Sequence, residues 1–382
     1  MDYRRVWAEI NLAHLTHNLR AVRARIPAGT RLMGIVKADA YGHGAVPVAQ
    51  ALLAQGVDAL GVAICEEGFA LRDAGIDAPV LVMGFTPDPL LDKVVRQGLA
   101  QTVFSPVGAT ALSTAAARVG KKARVHIKID TGMSRLGFLP TKESVAAICA
   151  IARDPHLDVQ GIYTHCATSD ALDNSFVFTQ RERFCWILQE LEACGLHIML
   201  KHMANSGAVA QTLRNDPPTD LFMDMVRVGI LLYGLPPSRE MTDVCDVLSL
   251  KPVMRLISQV SMVKELPAGV GISYGHHFVT PRPTTIAVLP VGYADGYPRR
   301  LTYGGRVLIK GQYAPIAGAI CMDQCMVDVT DITGGVVPGE PVTLLGSPAE
   351  GISADDLADI VGTISYEVVC GVGKRVPRIY SN

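Results

Sequence analysis

Short apolar runs alternate with amphipathic stretches through the first 235 residues of the chain. The runs occupy 32–36, 59–64, 80–83, 101–104, 125–129, 159–164, 198–200 and 222–228. Each is β-rich and apolar on both faces, which marks a strand covered on both sides rather than one half open to water. Every run but the last is followed by helical spacing; Phe184, Ile187, Leu188 and Leu191, for example, fall on one face of a helix. Eight strand-helix units in this length predict an N-terminal (β/α)8 barrel, with an open doubly wound sheet as the alternative. The texture changes after Leu235-Pro236-Pro237-Ser238. Shorter runs at 253–263, 285–289, 306–309, 326–329 and 342–345 are split by Gly and Pro and predict a mostly antiparallel C-terminal β domain. A helical signal returns at 353–361, where Ser353 is a natural cap ahead of Asp355 and Asp356. The α/β chain therefore divides into 1–240 and 241–382.

Composition narrows the function classes. The 382 residues carry 35 Lys plus Arg against 36 Asp plus Glu, a net charge of −1. A nucleic-acid binder would show a basic excess, and a polybasic membrane surface would too. With 49% hydrophobic and 19% charged residues, the chain can bury a large core. Arg4 and Arg5 precede Glu9 and Asn11, which interrupt any signal-like apolar run, and no uninterrupted apolar stretch reaches the roughly 18 residues of a spanning helix. Nine cysteines, an odd number and thinly spread, fit a reduced cytoplasmic protein better than a disulfide scaffold.

In a barrel of this kind the site lies at the C-terminal ends of the strands. The first strand ends in VKADAYGHG (36–44), which places Lys37 there with Asp39, Tyr41 and His43. The fifth runs into KIDTGMSRLGF (128–138), supplying Lys128, Asp130 and Arg135; the sixth ends at His165. The seventh leads to Asn205 and Ser206, and the eighth carries Arg227 in MVRVGILLYG (225–234). A lysine in an apolar pocket loses its ammonium to desolvation and becomes nucleophilic near neutral pH. That suits imine chemistry with an aldehyde cofactor, of which pyridoxal 5'-phosphate is the common one. Ser206 and Gly229 would suit its phosphate, and Arg227 its ring nitrogen. The plain alternative is a lysine salt-bridged at the barrel rim. No metal-ligand cluster stands out, and His276-His277 reads as a surface pair.

These segments, together with THCATSD, NSG, GISYG (271–275), VGYADGYPR (291–299), ICMDQCMVDVT (320–330) and RVPRIY (375–380), closely resemble the alanine racemase family, in the family's order, from about Trp7 to Tyr380. The resemblance implies a pyridoxal-phosphate barrel, a second β domain, and a homodimer with shared sites that interconverts L- and D-alanine, supplying D-alanine for peptidoglycan. Racemisation needs acid/base groups on opposite faces of the α-carbon. By resemblance Lys37 carries the cofactor and is one base, and Tyr274 from the other subunit is the second, with His165 bonded between it and Arg227. Free lysine and tyrosine both titrate at about 10, so both need lowering. Arg227 matches the residue facing the pyridine nitrogen. Tyr41, Ser206, Gly229, Ile230 and Tyr366 match the phosphate contacts. Arg135 and Met322 match substrate contacts, with Lys128, carbamylated in many members, and Asp323 in support. Tyr293 and Tyr366 match an inner gate.

Two departures stand out. Val228 occupies a position where many members have proline, and His276 and His277 follow GISYG where a small or hydroxyl residue is frequent. The alternatives are a racemase of broader range (serine or lysine), a decarboxylase on the same barrel type, and a non-catalytic cofactor-binding barrel protein. The loop between the seventh and eighth strands lacks the glycine-rich phosphate segment of the decarboxylase, and a carrier has no use for a second base.

Overall fold

The computed structural model describes residues 4–214 and 219–382. Its first strand, β1 (Val6–Asn11), precedes eight parallel strands: β2 (Arg31–Ile35), β3 (Ala59–Val62), β4 (Val80–Val82), β5 (Ala100–Val103), β6 (Ala123–Lys128), β7 (Leu157–Tyr163), β8 (Leu200–His202) and β9 (Met225–Val228). They are ordered β8-β7-β6-β5-β4-β3-β2-β9. Backbone N–H groups of Asp224 and Arg227 close the ring onto the carbonyls of Lys201 (3.1 Å) and Ala204 (2.9 Å). The result is the (β/α)8 barrel read from the apolar runs, not an open sheet. Helices follow each barrel strand except β9, which leads into the short turn Ile230–Tyr233. The last two strands sit later in the chain than their apolar runs. Lys201 and His202 are polar and Phe222 packs outside the strand, so hydrophobicity alone misplaced both starts.

The remaining strands are β10 (Met254–Gln259), β11 (Met262–Leu266), β12 (Gly271–Ile272), β13 (Phe278–Val279), β14 (Thr284–Leu289), β15 (Arg306–Ile309), β16 (Gln312–Pro315), β17 (Cys325–Asp328), β18 (Pro341–Leu345) and β19 (Arg378–Ser381). They form a six-stranded sheet, β16-β15-β18-β10-β1-β19, a three-stranded sheet, β11-β14-β17, and the β12-β13 hairpin. All pairs are antiparallel except β1 with β19. The single apolar run at 253–263 is two strands. At Val260-Ser261 the chain leaves one sheet for the other, with Val260 donating to Glu340 O (2.9 Å) and Ser261 to Val288 O (2.8 Å). The N-terminal strand β1 lies inside the second sheet, between β10 and β19, so the chain starts in the β domain before it builds the barrel. Helix Ala354–Val361 has the Ser353 cap; a further short helix, Ser365–Cys370, carries Tyr366 to the barrel mouth. Among the described residues no helix is long and apolar enough to cross a membrane.

Candidate active site

Lys37 leaves β2 after five consecutive buried positions, Leu32 to Val36, and is itself half-buried. The next four residues, Ala38, Asp39, Ala40 and Tyr41, all have φ between 53° and 55°. Left-handed backbone costs an L-residue roughly 1–2 kcal/mol, so a turn like this persists only where its surroundings hold it. Glu67 Oε1 accepts from the Ala38 N–H (2.6 Å), and Asp39 Oδ1 from the Ala45 N–H (2.7 Å). His43 Nδ1 donates to the carbonyls of Ala40 (3.0 Å) and Tyr41 (2.9 Å). Gly42 closes the turn at φ 81°; a Cβ there would lie 2.2 Å from Val369 O. The turn lays the Tyr41 phenol against Gly229, where a Cβ would sit 2.4 Å from the hydroxyl. Glycine at 229 is thus a requirement of close approach.

A cavity of about 140 Å³ opens at this end of the barrel. Lys37, Tyr41, His165 and Arg227 line it, as do Ser206, Gly229, Ile230 and Tyr366. These predicted residues come from four barrel segments and the second domain. Asn205 starts the helix Ser206–Arg214 by accepting from the Ala208 N–H (2.9 Å). Ser206 Oγ accepts from the Gly229 N–H (2.9 Å), which leaves its own O–H free to donate. An amine, two phenols, a hydroxyl, the leading N–H groups of a helical turn and a guanidinium in one small cavity form a donor set suited to a phosphorylated aldehyde. Val228 is fully buried in register with Gly34, so β9 runs regularly up to Gly229.

Arg227 is 3% exposed. Its guanidinium donates to Thr164 O (2.7 Å), Met203 O (3.0 Å), His165 Nδ1 (3.2 Å) and His202 Nδ1 (2.8 Å). Burial first, and then the Arg135 cation, holds the Lys37 amine below its ordinary range, while Cys370 and Glu67 oppose. Burial, with Arg227 next, holds His165 well below the usual imidazole range. Lys128 is buried, donates to Ile129 O (2.6 Å), and is pushed down to about 7, chiefly by burial and then by Arg227. Arg135 is exposed on the 131–137 loop, whose start is pinned by Asp130 Oδ1 accepting from the Gly132 (3.0 Å) and Ser134 (2.9 Å) N–H groups. Burial of Tyr41 and Tyr366 raises both phenols above their ordinary value.

The single chain does not bring every predicted residue together. Tyr274, Met322 and Asp323 line a separate open cavity of about 580 Å³ on the second domain. Tyr274 is 72% and Met322 53% exposed, unusual for such side chains. Tyr293 anchors beside them, its N–H donating to Cys321 O (3.1 Å) while the Ala294 N–H donates to Met322 O (3.0 Å). Asp323 accepts from Arg375 (2.7 Å), and the histidine pair at 276–277 is exposed. Asp170 lines the cavity and escaped the sequence reading, as did His202 and His126, which lie behind Arg227 rather than in the cavity wall. A signal for His126 existed: it lies two residues before Lys128 on β6 and therefore on the same face.

The family model of the alanine racemase N-terminal domain matches residues 10–237, and that of the C-terminal domain matches 253–380. An alanine racemase of Desulfovibrio desulfuricans is 45% identical over 379 residues, spanning 99% of this chain and 98% of that one. The structure of the Clostridium difficile alanine racemase superimposes with a TM-score of 0.94 at 39% identity, over 100% of this chain and 97% of that one. That of Bartonella henselae, with covalently bound pyridoxal phosphate, gives 0.85 at 29% identity over 99% and 100% of the two chains.

Proposed function

The chain belongs to the alanine racemase family and is an isomerase of alanine, and on that premise we propose that it works by two bases, Lys37 of one subunit and Tyr274 of its partner, around pyridoxal phosphate held at the barrel mouth. The cavity carries this reading: Lys37, the phosphate-type donors and Arg227 converge on it. When bound, pyridoxal phosphate supplies an aldehyde that condenses with an amine and a ring that spreads negative charge away from the α-carbon. Tyr41, Ser206, Tyr366 and the backbone at Gly229 and Ile230 would hold its phosphate, and Arg227 would meet its ring nitrogen. A permanently charged arginine there would disfavour protonation of that nitrogen. Arg135 holds the substrate carboxylate by a forked contact, with Met322 of the partner on the other side and Tyr293 and Tyr366 narrowing the entry.

Each base needs help to exchange a proton with the α-carbon. Burial and then Arg135 lower the Lys37 amine below its ordinary range, which shifts the balance toward its neutral form. Tyr274 is helped by the His165 tautomer. Arginine can only donate, so His165 Nδ1 is an acceptor and the imidazole proton is on Nε2. A donor aimed at a phenol oxygen favours the phenolate, the form that takes a proton from L-alanine. Tyr274 and Met322 stand exposed on the second domain, which supports a two-fold dimer in which each second domain completes the other's barrel. Lys128 carries a carbamate that orients Arg135, and Asp323 steadies the Met322 turn through Arg375. The enzyme acts in the cytoplasm and supplies D-alanine for peptidoglycan. The named relatives favour alanine over serine or lysine as the substrate.

Borohydride reduction of the cofactor-loaded enzyme followed by peptide mapping tests the assignment. The label is expected on Lys37, together with loss of racemisation of L- and D-alanine. Label on another side chain contradicts it.

A further inference from the structure

The barrel is polar behind Arg227. Among the described residues no carboxylate bonds to this buried guanidinium; its acceptors are two carbonyls and two imidazole nitrogens. The ring of Tyr163 lies 5.0 Å from it and stacks on His202, with centroids 4.7 Å apart and planes within 5°. Because Arg227 can only donate, His202 Nδ1 must be unprotonated and His202 must carry its proton on Nε2. That nitrogen lies 2.9 Å from Nδ1 of His126, which must therefore accept. His126 is left with its own N–H at Nε2 and lines the cavity at the opposite, N-terminal mouth of the barrel. Both imidazoles are buried, at 0% and 5% exposure, and burial with the Arg227 cation disfavours protonation of either.

We propose that His202 and His126 are positioning residues for Arg227, a directional strut of neutral imidazoles that fixes the guanidinium plane while leaving its charge uncompensated. This rests on the reading that Arg227 faces the pyridine nitrogen of the cofactor. A carboxylate in place of His202 would hold the guanidinium equally well but neutralise it, and the field at the ring nitrogen would weaken. Imidazole gives the geometry without that loss. The outer histidine matters because it receives the His202 Nε2 proton. Without an acceptor there, His202 is relieved by turning its ring or shifting its proton to Nδ1, which sets donor against donor at Arg227. The effect of position 126 thus reaches the site through two hydrogen bonds.

Two measurements test the strut. Nitrogen-15 NMR of histidine-labelled apoenzyme at neutral pH is expected to show the Nε2–H tautomer at both His202 and His126. An Nδ1–H tautomer or a protonated ring at His202 overturns the proposal, and this arm stands or falls without the cofactor. In the loaded enzyme, His126→Leu removes the acceptor at similar volume and His126→Asn restores one near Nδ1. The Leu variant is expected to lose about tenfold in kcat with KM for alanine little changed, and to shift the absorbance maximum of the bound cofactor. The Asn variant should recover both. Equal spectra and equal kcat in the two variants overturn the strut. Failure of wild-type enzyme to trap the cofactor on Lys37 would instead overturn the parent reading.

Discussion

Lys128 shows how one residue can hold chemistry by its surroundings alone. Its amine is enclosed by the barrel, bonded to Ile129 O, and lies 5.5 Å from the Tyr163 ring. Burial, then Arg227, lowers it to about 7 against the opposing pull of Asp130. The carbamate proposed at Lys128 would form when the neutral amine attacks carbon dioxide, making the C–N bond and releasing a proton. Its neutral fraction grows as pH rises through about 7, so carbamate occupancy should climb from mildly acidic to mildly basic bicarbonate buffer. Peptide or intact mass reads this as the addition of one carbon dioxide at Lys128, and occupancy flat across that range contradicts it. Without carbon dioxide the linkage has a definite sign. Between about 7 and the ordinary lysine value of 10.5 the unfolded chain binds more protons than the native one, so stability rises with pH across that window. At this scale the sequence displayed the reactive types at strand ends, Lys37, Lys128, His165 and Arg227. It did not display the histidines behind them, because His126 and His202 matter through each other and are 76 residues apart.

Among the elements, the turn at 38–41 decides where Lys37 and Tyr41 point. Nothing in Ala-Asp-Ala-Tyr announces left-handed backbone, since Ala is the strongest right-handed helix former; only the glycine at 42 hints at a reversal. Gly42→Ala should cost about 2–4 kcal/mol, because it adds a Cβ 2.2 Å from Val369 O to an already strained φ. Gly56 has a similar φ of 80° with nothing within 4 Å, so Gly56→Ala should cost about 1 kcal/mol. Urea unfolding of both variants checks the difference; equal losses contradict the close approach. Most barrel strands were legible because both of their faces are covered, which leaves a continuous apolar run; β8, with Lys201 and His202, has none. The break at Val260-Ser261 was not, because a strand changing sheets keeps its apolar texture.

For the whole molecule, the informative fact is what the single chain leaves apart. β1 ties the start of the chain into the second sheet, and Arg5 bonds the buried Asp295 (2.9 Å), whose turn carries Tyr293. The second domain is therefore fixed as a unit with Tyr274 and Met322 facing outward. The apolar pattern announced a barrel followed by a β domain, but no spacing could point to the arrangement proposed for Tyr274, a base that works in another copy's site. Mixing inactive Lys37→Ala and Tyr274→Ala chains under conditions of subunit exchange should restore up to about one quarter of wild-type activity, because half of randomly mixed dimers are hybrids with one intact site. No recovery despite proven exchange contradicts the shared site. The central claim, a separate base on each face of the α-carbon, is tested most directly in heavy water. L-Alanine carried to low conversion should give D-alanine bearing deuterium at the α-carbon while the recovered L-alanine keeps its protium. Deuterium entering both isomers from the start would mean that one base serves both faces.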